Sequence, residues 1–461
     1  MELPYNPNDK ISVLEYANLL KGKSLRQICS PLIFNHNYSG KGSFGQLLEK
    51  YYFLYNPNSS SEPDFKEIGL ELKSSPLKKL RNLEYRSKER LVLNIIDYNV
   101  IVKQNFEDSD FWKKNSNILL VFYLYQEDLN ILDYIIKLVG EWNYSNTDIK
   151  IIKQDWEYIK LKINEGKAHE LSEGDTFYLG ACTKGANTSS LREQPYSNIQ
   201  AKQRAFSLKQ GYLNHIIASI ADEPNEVYGK LIKSDSILDN SNFEDLVIGK
   251  FNNYYGKSID QILKLLGIQF NTSAKNFYAL LTKSILGIEL DKEIEEFDKA
   301  EITVKTVRLK NNCLPKEDIS FPNFKYEEIV KEDWEDSSFK SFLEKKFLFV
   351  FFQYENDILY LRKVKFWNMP YLDVLEAKKV WEKTKEIVLN GEIVKSFNDL
   401  YRTTNFPNKS FNLVAHVRPH AQNAADIYPL PVMDKKTGVM EYTKHCFWLN
   451  NTYVMNEIYL K

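Results

Sequence analysis

Residues 62–73, Glu-Pro-Asp-Phe-Lys-Glu-Ile-Gly-Leu-Glu-Leu-Lys, constrain the chain more than any other stretch. Leu70, Glu71, Leu72 and Lys73 alternate apolar and polar, the period of a half-buried strand. Leu70 and Leu72 then point into a core. Glu71 and Lys73 share the opposite face, roughly 7 Å apart at a rise of ~3.3 Å per residue. Lys66 to Gly69 can close a tight turn, because Gly69 tolerates positive φ. That turn folds Asp64 back beside Glu71 and sets two carboxylates and an ammonium on one exposed edge.

Two carboxylates at one point repel, and each raises the other's pKa. A divalent cation removes the conflict. Mg²⁺ prefers oxygen ligands and is usually held by one or two carboxylates with water and substrate phosphate. Lys73 would orient an attacking water or offset charge on the phosphate, which completes the equipment for metal-assisted phosphodiester hydrolysis. On this stretch alone, a surface hairpin closed by an ion pair explains the pattern as well. The spacing Pro-Asp followed by Glu-x-Lys is nonetheless the signature of PD-(D/E)xK nucleases.

Upstream, Ser43 and Gln46 have the spacing of a capping box that opens a helix. Phe44, Leu47, Leu48, Tyr51 and Tyr52 fall on one helical face, with Glu49 at its border. Lys41-Gly42-x-x-Gly45-x-Leu47-Leu48-Glu49, then Asp64-Phe65, then Glu71-Leu72-Lys73 resembles the MutH superfamily. That superfamily contains a mismatch-repair nicking enzyme and GATC-cutting type II restriction endonucleases, and the chain looks most like the latter. The resemblance implies Mg²⁺-dependent hydrolysis of double-stranded DNA at GATC, 5′ to G, leaving a four-base 5′ overhang. It implies Asp64 and Glu71 as metal ligands, Glu49 as a supporting or second-metal ligand, Lys73 beside the water, and Lys114 as a basic residue near the site. Lys41 is the candidate for DNA contact within the motif itself. A restriction enzyme further implies a cognate DNA methyltransferase as partner. A palindromic site implies two active centres meeting as a dimer on DNA, or two sequential nicks.

At 461 residues the chain is too long for one ordinary core, so two domains are expected. Its 43% hydrophobic and 27% charged content are those of a globular protein. The net charge of −1 does not announce nucleic-acid binding, which then requires a local basic patch. No apolar run approaches the ~20 residues of a membrane span, and the N-terminus has no signal pattern. Cys29, Cys182, Cys313 and Cys446 are widely separated. They read as reduced thiols of a cytoplasmic protein without structural zinc.

Lys78, Lys79, Arg81, Arg86, Lys88 and Arg90 follow the hairpin. Such a run is usually a solvated face, but beside a phosphodiesterase site it reads as a backbone clamp. Residues 87–99 read as a helix packing through Leu91, Leu93, Ile95 and Ile96. Residues 117–125 form a continuous apolar run, as in a central strand buried on both faces. Residues 149–163 read as a helix around Trp156, and 177–181 as a strand. The loop after it and the stretch 202–209 resemble the family's DNA-reading elements. Lys184, Arg204, Ser207 and Lys209 are the candidate base or phosphate contacts. The mismatch-repair relatives carry arginine at the position of Cys182 and tyrosine at that of Ser207, so their dependence on hemimethylated DNA is not carried over.

The second half repeats the first. Residues 276–283 echo 43–50, 296–305 echo 64–73, and 347–353 echo the buried strand. Trp381 echoes Trp156, residues 411–413 echo 177–179, and Phe447, Leu449 and Tyr453 echo Phe206, Leu208 and Tyr212. The chemical positions differ. Thr282 replaces Glu49, Glu296 replaces Asp64 and Thr303 replaces Glu71, while Lys305 keeps the place of Lys73. One carboxylate and a threonine make a poor Mg²⁺ site. Arg418 and Trp448 fall at the positions of Cys182 and Ser207, with His420 and Gln422 nearby. The expected architecture is mixed α/β, two tandem restriction-endonuclease-like domains, each a central mixed sheet flanked by helices. Residues 1–225 would cut, and 226–461 would bind DNA without cutting or serve as an effector. A nicking repair enzyme and a non-catalytic DNA-binding protein are the competing readings.

Overall fold

The structure, a computed structural model, describes residues 3–29, 42–57, 60–80, 84–185, 190–223, 227–269, 271–397 and 402–461. Lys41 and Arg81, both expected to meet DNA, lie outside these residues. Contacts divide the chain into two units: Met1–Phe243 with Asp291–Glu301, and Glu244–Leu290 with Ile302–Lys461.

The first unit begins its site-bearing part with α1 (Ser43–Leu47), which runs on into a π-helical turn, Leu48–Tyr52. Gly42 is the N-cap, at φ 95°, so Ser43 is already helical and the expected capping box does not form. Phe44, Leu47, Leu48 and Tyr52 are buried, as the helical face required. Next come β1 (Glu71–Lys79), β2 (Tyr85–Ser87), β3 (Leu91–Ile95), α2 (Asp110–Asn115), β4 (Asn117–Leu124) and β5 (Ile136–Asn143). The main sheet has the order β2-β1-β4-β5, with β1 parallel to β4 and β4 antiparallel to β5. Ile118 to Phe122 are wholly buried, which explains the unbroken apolar run of β4.

The helix expected over 87–99 is instead a strand followed by a short helix, Tyr98–Ile101. Leu91 and Leu93 are buried and Val92 and Asn94 are half-buried, so the period is two rather than 3.6. The helical turn begins only where Asp97 accepts from the amides of Asn99 and Val100.

Helix α3 (Asn146–Asn164) buries Trp156 completely. Beside it, buried Asp155 accepts from the amides of Phe177, Tyr178 and Leu179 at 2.8, 2.6 and 2.9 Å. Burial pushes its carboxyl up to about 6, against the pull of those three amides. Asp155 thereby fixes the start of β6 (Leu179–Thr183), which joins β7 (Arg204–Leu208) and β3 in a second sheet of order β3-β7-β6. Helix α4 (Gln210–Ile220) follows.

The second unit repeats this plan. Helix α5 (Phe277–Ile285) corresponds to α1. Helix α6 (Glu295–Ala300), in the segment grouped with the first unit, corresponds to the 3₁₀ turn Lys66–Ile68. Strands β8 (Thr303–Leu309), β9 (Ile319–Phe324), β10 (Phe347–Glu355) and β11 (Ile358–Trp367) then appear in the same roles as β1, β3, β4 and β5. Glu71 opposite Ile118 opens one parallel ladder, and Thr303 opposite Phe347 opens the other. Helix α7 (Tyr371–Leu389) places Trp381 at its eleventh position, as α3 places Trp156. Strands β12 (Ala415–Pro419) and β13 (His445–Leu449) complete a sheet of order β9-β13-β12.

Sheet register corrects one expected correspondence. Leu208 faces Leu179 and Leu449 faces Ala415, so the counterpart of 177–179 is 413–415 rather than 411–413. The same register sets Arg418 at the place of Cys182 and Trp448 at that of Ser207. Val380 stands where Asp155 does, and Asn412 takes over its task, accepting from Val414 and Ala415 at 2.8 and 3.2 Å.

Segment 291–301 is built into the first unit. Lys299 bridges Asp148 at 3.2 Å and Glu295 at 2.9 Å. The backbone comes so close that a Cβ on Gly211 would lie 1.9 Å from the Asp298 carbonyl. Among the described residues no helix is long and apolar enough to cross a membrane, and all four cysteines are unpaired as thiols.

Candidate active site

Phe65 and Leu70 exchange backbone hydrogen bonds at 2.9 and 3.2 Å and close the hairpin. Between them lies the 3₁₀ turn, ended by Gly69 at φ 61°. This is the turn that the glycine required. The Asp64 amide donates to Glu71 Oε2 at 3.1 Å, and Asp64 Oδ2 accepts from the Leu72 amide at 3.0 Å. Asp64 and Glu71 are thus locked side by side by backbone geometry.

Glu71 is 1% exposed, so it does not stand on an open edge. Two ammonium groups compensate it: Lys73, in a close ion pair, and Lys114 Nζ at 3.6 Å. Lys114 is itself buried at the end of α2, and donates to the carbonyls of Ser60 and Glu62 at 2.7 and 3.0 Å. One side chain therefore balances Glu71 and holds the loop that delivers Asp64. Burial pushes the Glu71 carboxyl up, and the two lysines oppose that shift only in part.

Glu49 enters from the π-helical turn. Just before it, α1 packs tightly on β1, where a Cβ on Gly45 would lie 3.2 Å from Ser74 Oγ and 4.0 Å from Glu49 Oε1. Burial pushes the Glu49 carboxyl up to about 7, and Asp64 and Glu71 add to the shift while Lys73 and Lys114 reduce it. All five predicted groups therefore gather in one electrostatic cluster. Sequence reasoning missed Tyr55. Its hydroxyl is buried beside this cluster with no hydrogen-bond partner among the described residues. Within the run Tyr51-Tyr52-Phe53-Leu54-Tyr55 nothing set it apart from core aromatics.

Among the described residues no group of three or more His, Cys, Asp or Glu side chains is arranged to hold a metal ion by itself. The donor set suits a hard cation all the same. Mg²⁺ needs only one or two carboxylates, with water and phosphate for the rest. Asp64 and Glu71 offer hard oxygens, and the orphaned Tyr55 hydroxyl adds an unused polar atom at the same place.

The chain matches the family model described as DNA mismatch repair enzyme MutH over residues 53–155 and again over 286–379. It is 40% identical over 457 residues to the type II restriction enzyme Sau3AI of Staphylococcus aureus, covering 91% of this chain and 92% of that one. The chain belongs to this MutH-related family of type II restriction enzymes. Mismatch-repair MutH of Shewanella sp. (strain W3-18-1) is 26% identical over 217 residues, which is 46% of this chain and 95% of its own. MutH of Buchnera aphidicola is 30% identical over 159 residues, 33% of this chain and 70% of its own. The double match fits the repeated architecture, and the two mismatch-repair relatives match less than half of the chain.

The expected DNA contacts fare unevenly. Lys78 and Lys79 are exposed at the end of β1, and Lys184 is exposed just after β6. Arg204, Ser207 and Lys209 are buried instead. Arg204 donates to the Ala181 carbonyl at 2.6 Å, and Lys209 to those of Thr176 and Ala300 at 2.6 and 3.2 Å. Ser207 is 0% exposed within the second sheet. Their chemistry suited a reading surface, but a strand buried on both faces and the backbone carbonyls that accept from Arg204 and Lys209 keep them inside. In the second unit, the Arg418 guanidinium lies 3.7 Å from the centre of the Trp448 ring and donates to Asp318 at 3.1 Å. His420 meets the Trp448 ring edge-on at 5.2 Å, and Gln422 is exposed beyond it.

Proposed function

We propose that this family member is a Mg²⁺-dependent restriction endonuclease that hydrolyses double-stranded DNA at GATC, 5′ to G on each strand. The reading is carried by one observation: Asp64 and Glu71 are held side by side by backbone hydrogen bonds, with Lys73 and Lys114 on Glu71. Asp64 and Glu71 would hold the cation, with Glu49 behind them. A divalent cation supplies Lewis-acid polarisation of the phosphate and a bound water of lowered pKa. Lys73 orients the attacking water and offsets the charge that develops on the phosphate. Lys114 keeps Glu71 charged and the 60–64 loop closed. Lys78, Lys79 and Lys184 are the proposed phosphate contacts.

The tandem domains, 1–225 and 226–461, are proposed to divide the labour. In the second, Thr282 bonds its own helix through the Tyr278 carbonyl at 2.8 Å, and Thr303 offers no carboxylate. The Glu296 carboxylate is committed to the amides of Leu231 and Ile232 at 3.0 and 2.9 Å. We therefore assign no cleavage to it, and give DNA contact to Arg418, His420, Gln422 and Trp448. Cutting both strands calls for two first domains on one site, in a cytoplasmic setting with a protecting methyltransferase.

Digestion of a plasmid with several GATC sites, with Mg²⁺ or EDTA, tests this. Linear fragments ending at GATC are expected with Mg²⁺ and none with EDTA. Nicked circles alone would favour a repair-type nicking enzyme. A gel shift without any cutting would favour a DNA-binding protein.

A further inference from the structure

Tyr55 sits beside the acidic cluster, just after an unusual piece of backbone. Leu54, with no glycine freedom, adopts φ 61°, a left-handed conformation that is strained for a side-chain-bearing residue. The chain then turns back, and the Tyr55 amide donates to the Glu49 carbonyl at 3.1 Å. The Tyr55 ring meets that of Phe65, the neighbour of Asp64, edge-on at 5.8 Å. Asp64, Glu49 and Glu71 all lie close enough to bear on the phenol electrostatically.

A buried hydroxyl without a partner forfeits its hydrogen bonds to water, and a phenylalanine would fill the same space without that loss. Strained backbone and an unsatisfied polar atom at one point need a compensating use. A phenol remains a neutral donor near neutral pH, so it can serve an acidic site without cancelling the charge that the cation needs.

We propose that Tyr55 is a positioning residue of the metal centre, whose hydroxyl donates to the ligand set (a carboxylate oxygen or a water on the cation) when the divalent cation is held. This rests on the metal-centre reading of Asp64 and Glu71. Donation from outside the ligand set fixes which oxygen lone pairs face the cation, and loss of such a partner weakens metal binding by about 10–100-fold. A hydroxyl serving only the core would act differently, because its removal would lower the stability of the metal-free protein.

The test uses the full chain with Tyr55→Phe, and Asp64→Asn as control. Mn²⁺ binding is followed by electron paramagnetic resonance without DNA, and thermal unfolding is followed in EDTA. The expected result is Mn²⁺ binding weakened about tenfold in Tyr55→Phe, with an unfolding midpoint in EDTA equal to or above that of the parent. Unchanged Mn²⁺ affinity in Tyr55→Phe, with affinity lost in Asp64→Asn, overturns the role of Tyr55 and leaves the metal centre standing. A lowered midpoint in EDTA overturns it in favour of a structural hydroxyl. Unchanged affinity in Asp64→Asn removes the metal-centre reading, and the role of Tyr55 falls with it.

Discussion

The amide of Asp64 donates to the Glu71 carboxylate at 3.1 Å, and the amide following Glu71 donates to the Asp64 carboxylate at 3.0 Å. Two like charges are thereby held together by the backbone rather than by a side-chain partner. Glu71→Gln keeps the acceptor and the shape but removes the charge. Cutting should fall about a hundredfold or more. Stability without metal should change by only about 1 kcal/mol, since a repulsion is lost along with an ion pair. Plasmid digestion and urea unfolding measure the two effects. Undiminished cutting would place the chemistry elsewhere.

Glu49 gives the site a pH dependence. Its folded pKa of about 7 lies above that of an ordinary glutamate. The folded state therefore binds more protons than the unfolded one between about pH 4.5 and 7, and stability without metal falls as pH rises through that window. Glu49→Gln lacks the titration. It should be the more stable protein at pH 8 by the order of 1 kcal/mol, after allowance for its partial exposure, and show no such gain at pH 4. Denaturant unfolding at the two pH values checks this.

The same proton opposes the cation. A glutamate must be ionised to serve as a ligand, so loading at pH 6 should release close to one proton, and loading at pH 8.5 almost none. Apparent affinity should rise about tenfold per pH unit below 7 and level off above it. Calorimetry of Mg²⁺ binding in two buffers of different ionisation enthalpy counts the protons. Equal heats in both buffers at pH 6 would show that Glu49 does not titrate on loading.

The hairpin was legible because everything that shapes it is local. The proline, the glycine and the period of two lie within one short stretch, and they specify both the turn and the pairing of Asp64 with Glu71. The repeat was legible for the same reason, since each half carries its own periods. What distant partners decide was not legible. Arg204 and Lys209 have the composition of DNA-contacting residues, and only the carbonyls of Ala181, Thr176 and Ala300 show them to be frame. Glu296 keeps a carboxylate at the place of Asp64, yet that carboxylate is taken by amides 64 and 65 residues earlier in the chain. The strand at 91–95 reads as a helix from sequence because five apolar residues in the six of 91–96 satisfy both periods nearly equally.

Lys305 keeps the place of Lys73, but Thr303 stands where Glu71 did. Burial among Phe347, Phe349 and Trp367 pushes the Lys305 ammonium down, and among the described residues no carboxylate pulls it back. Thr303→Glu should restore the partner and raise the Lys305 pKa, read as slower labelling by an amine reagent near neutral pH. In a Glu71→Ala background it should restore no cutting, because the remaining acid, Glu296, is engaged with backbone amides. Recovery of cutting would show that the second domain needs only one carboxylate to act.

Arg418 lies over the Trp448 ring and is steadied by Asp318, so a cation and an aromatic side chain are presented together before any DNA arrives. Trp448 is half-buried, which leaves part of the ring accessible. If this pair meets DNA, Trp448→Ala should weaken duplex binding by about 1–3 kcal/mol, the range for an aromatic–base stack. Arg418→Ala should weaken binding and also reduce its salt dependence, because a cation that meets phosphate displaces counterions. Asp318→Asn leaves both side chains in place and releases the restraint on Arg418. Its effect should be smaller than that of either alanine variant. Binding is best compared in Ca²⁺, with the first domain silenced by Glu71→Ala, so that cutting does not consume the probe. Full affinity in both alanine variants would restrict DNA contact to the first domain and leave the Arg418–Trp448 stack as part of the second domain's frame.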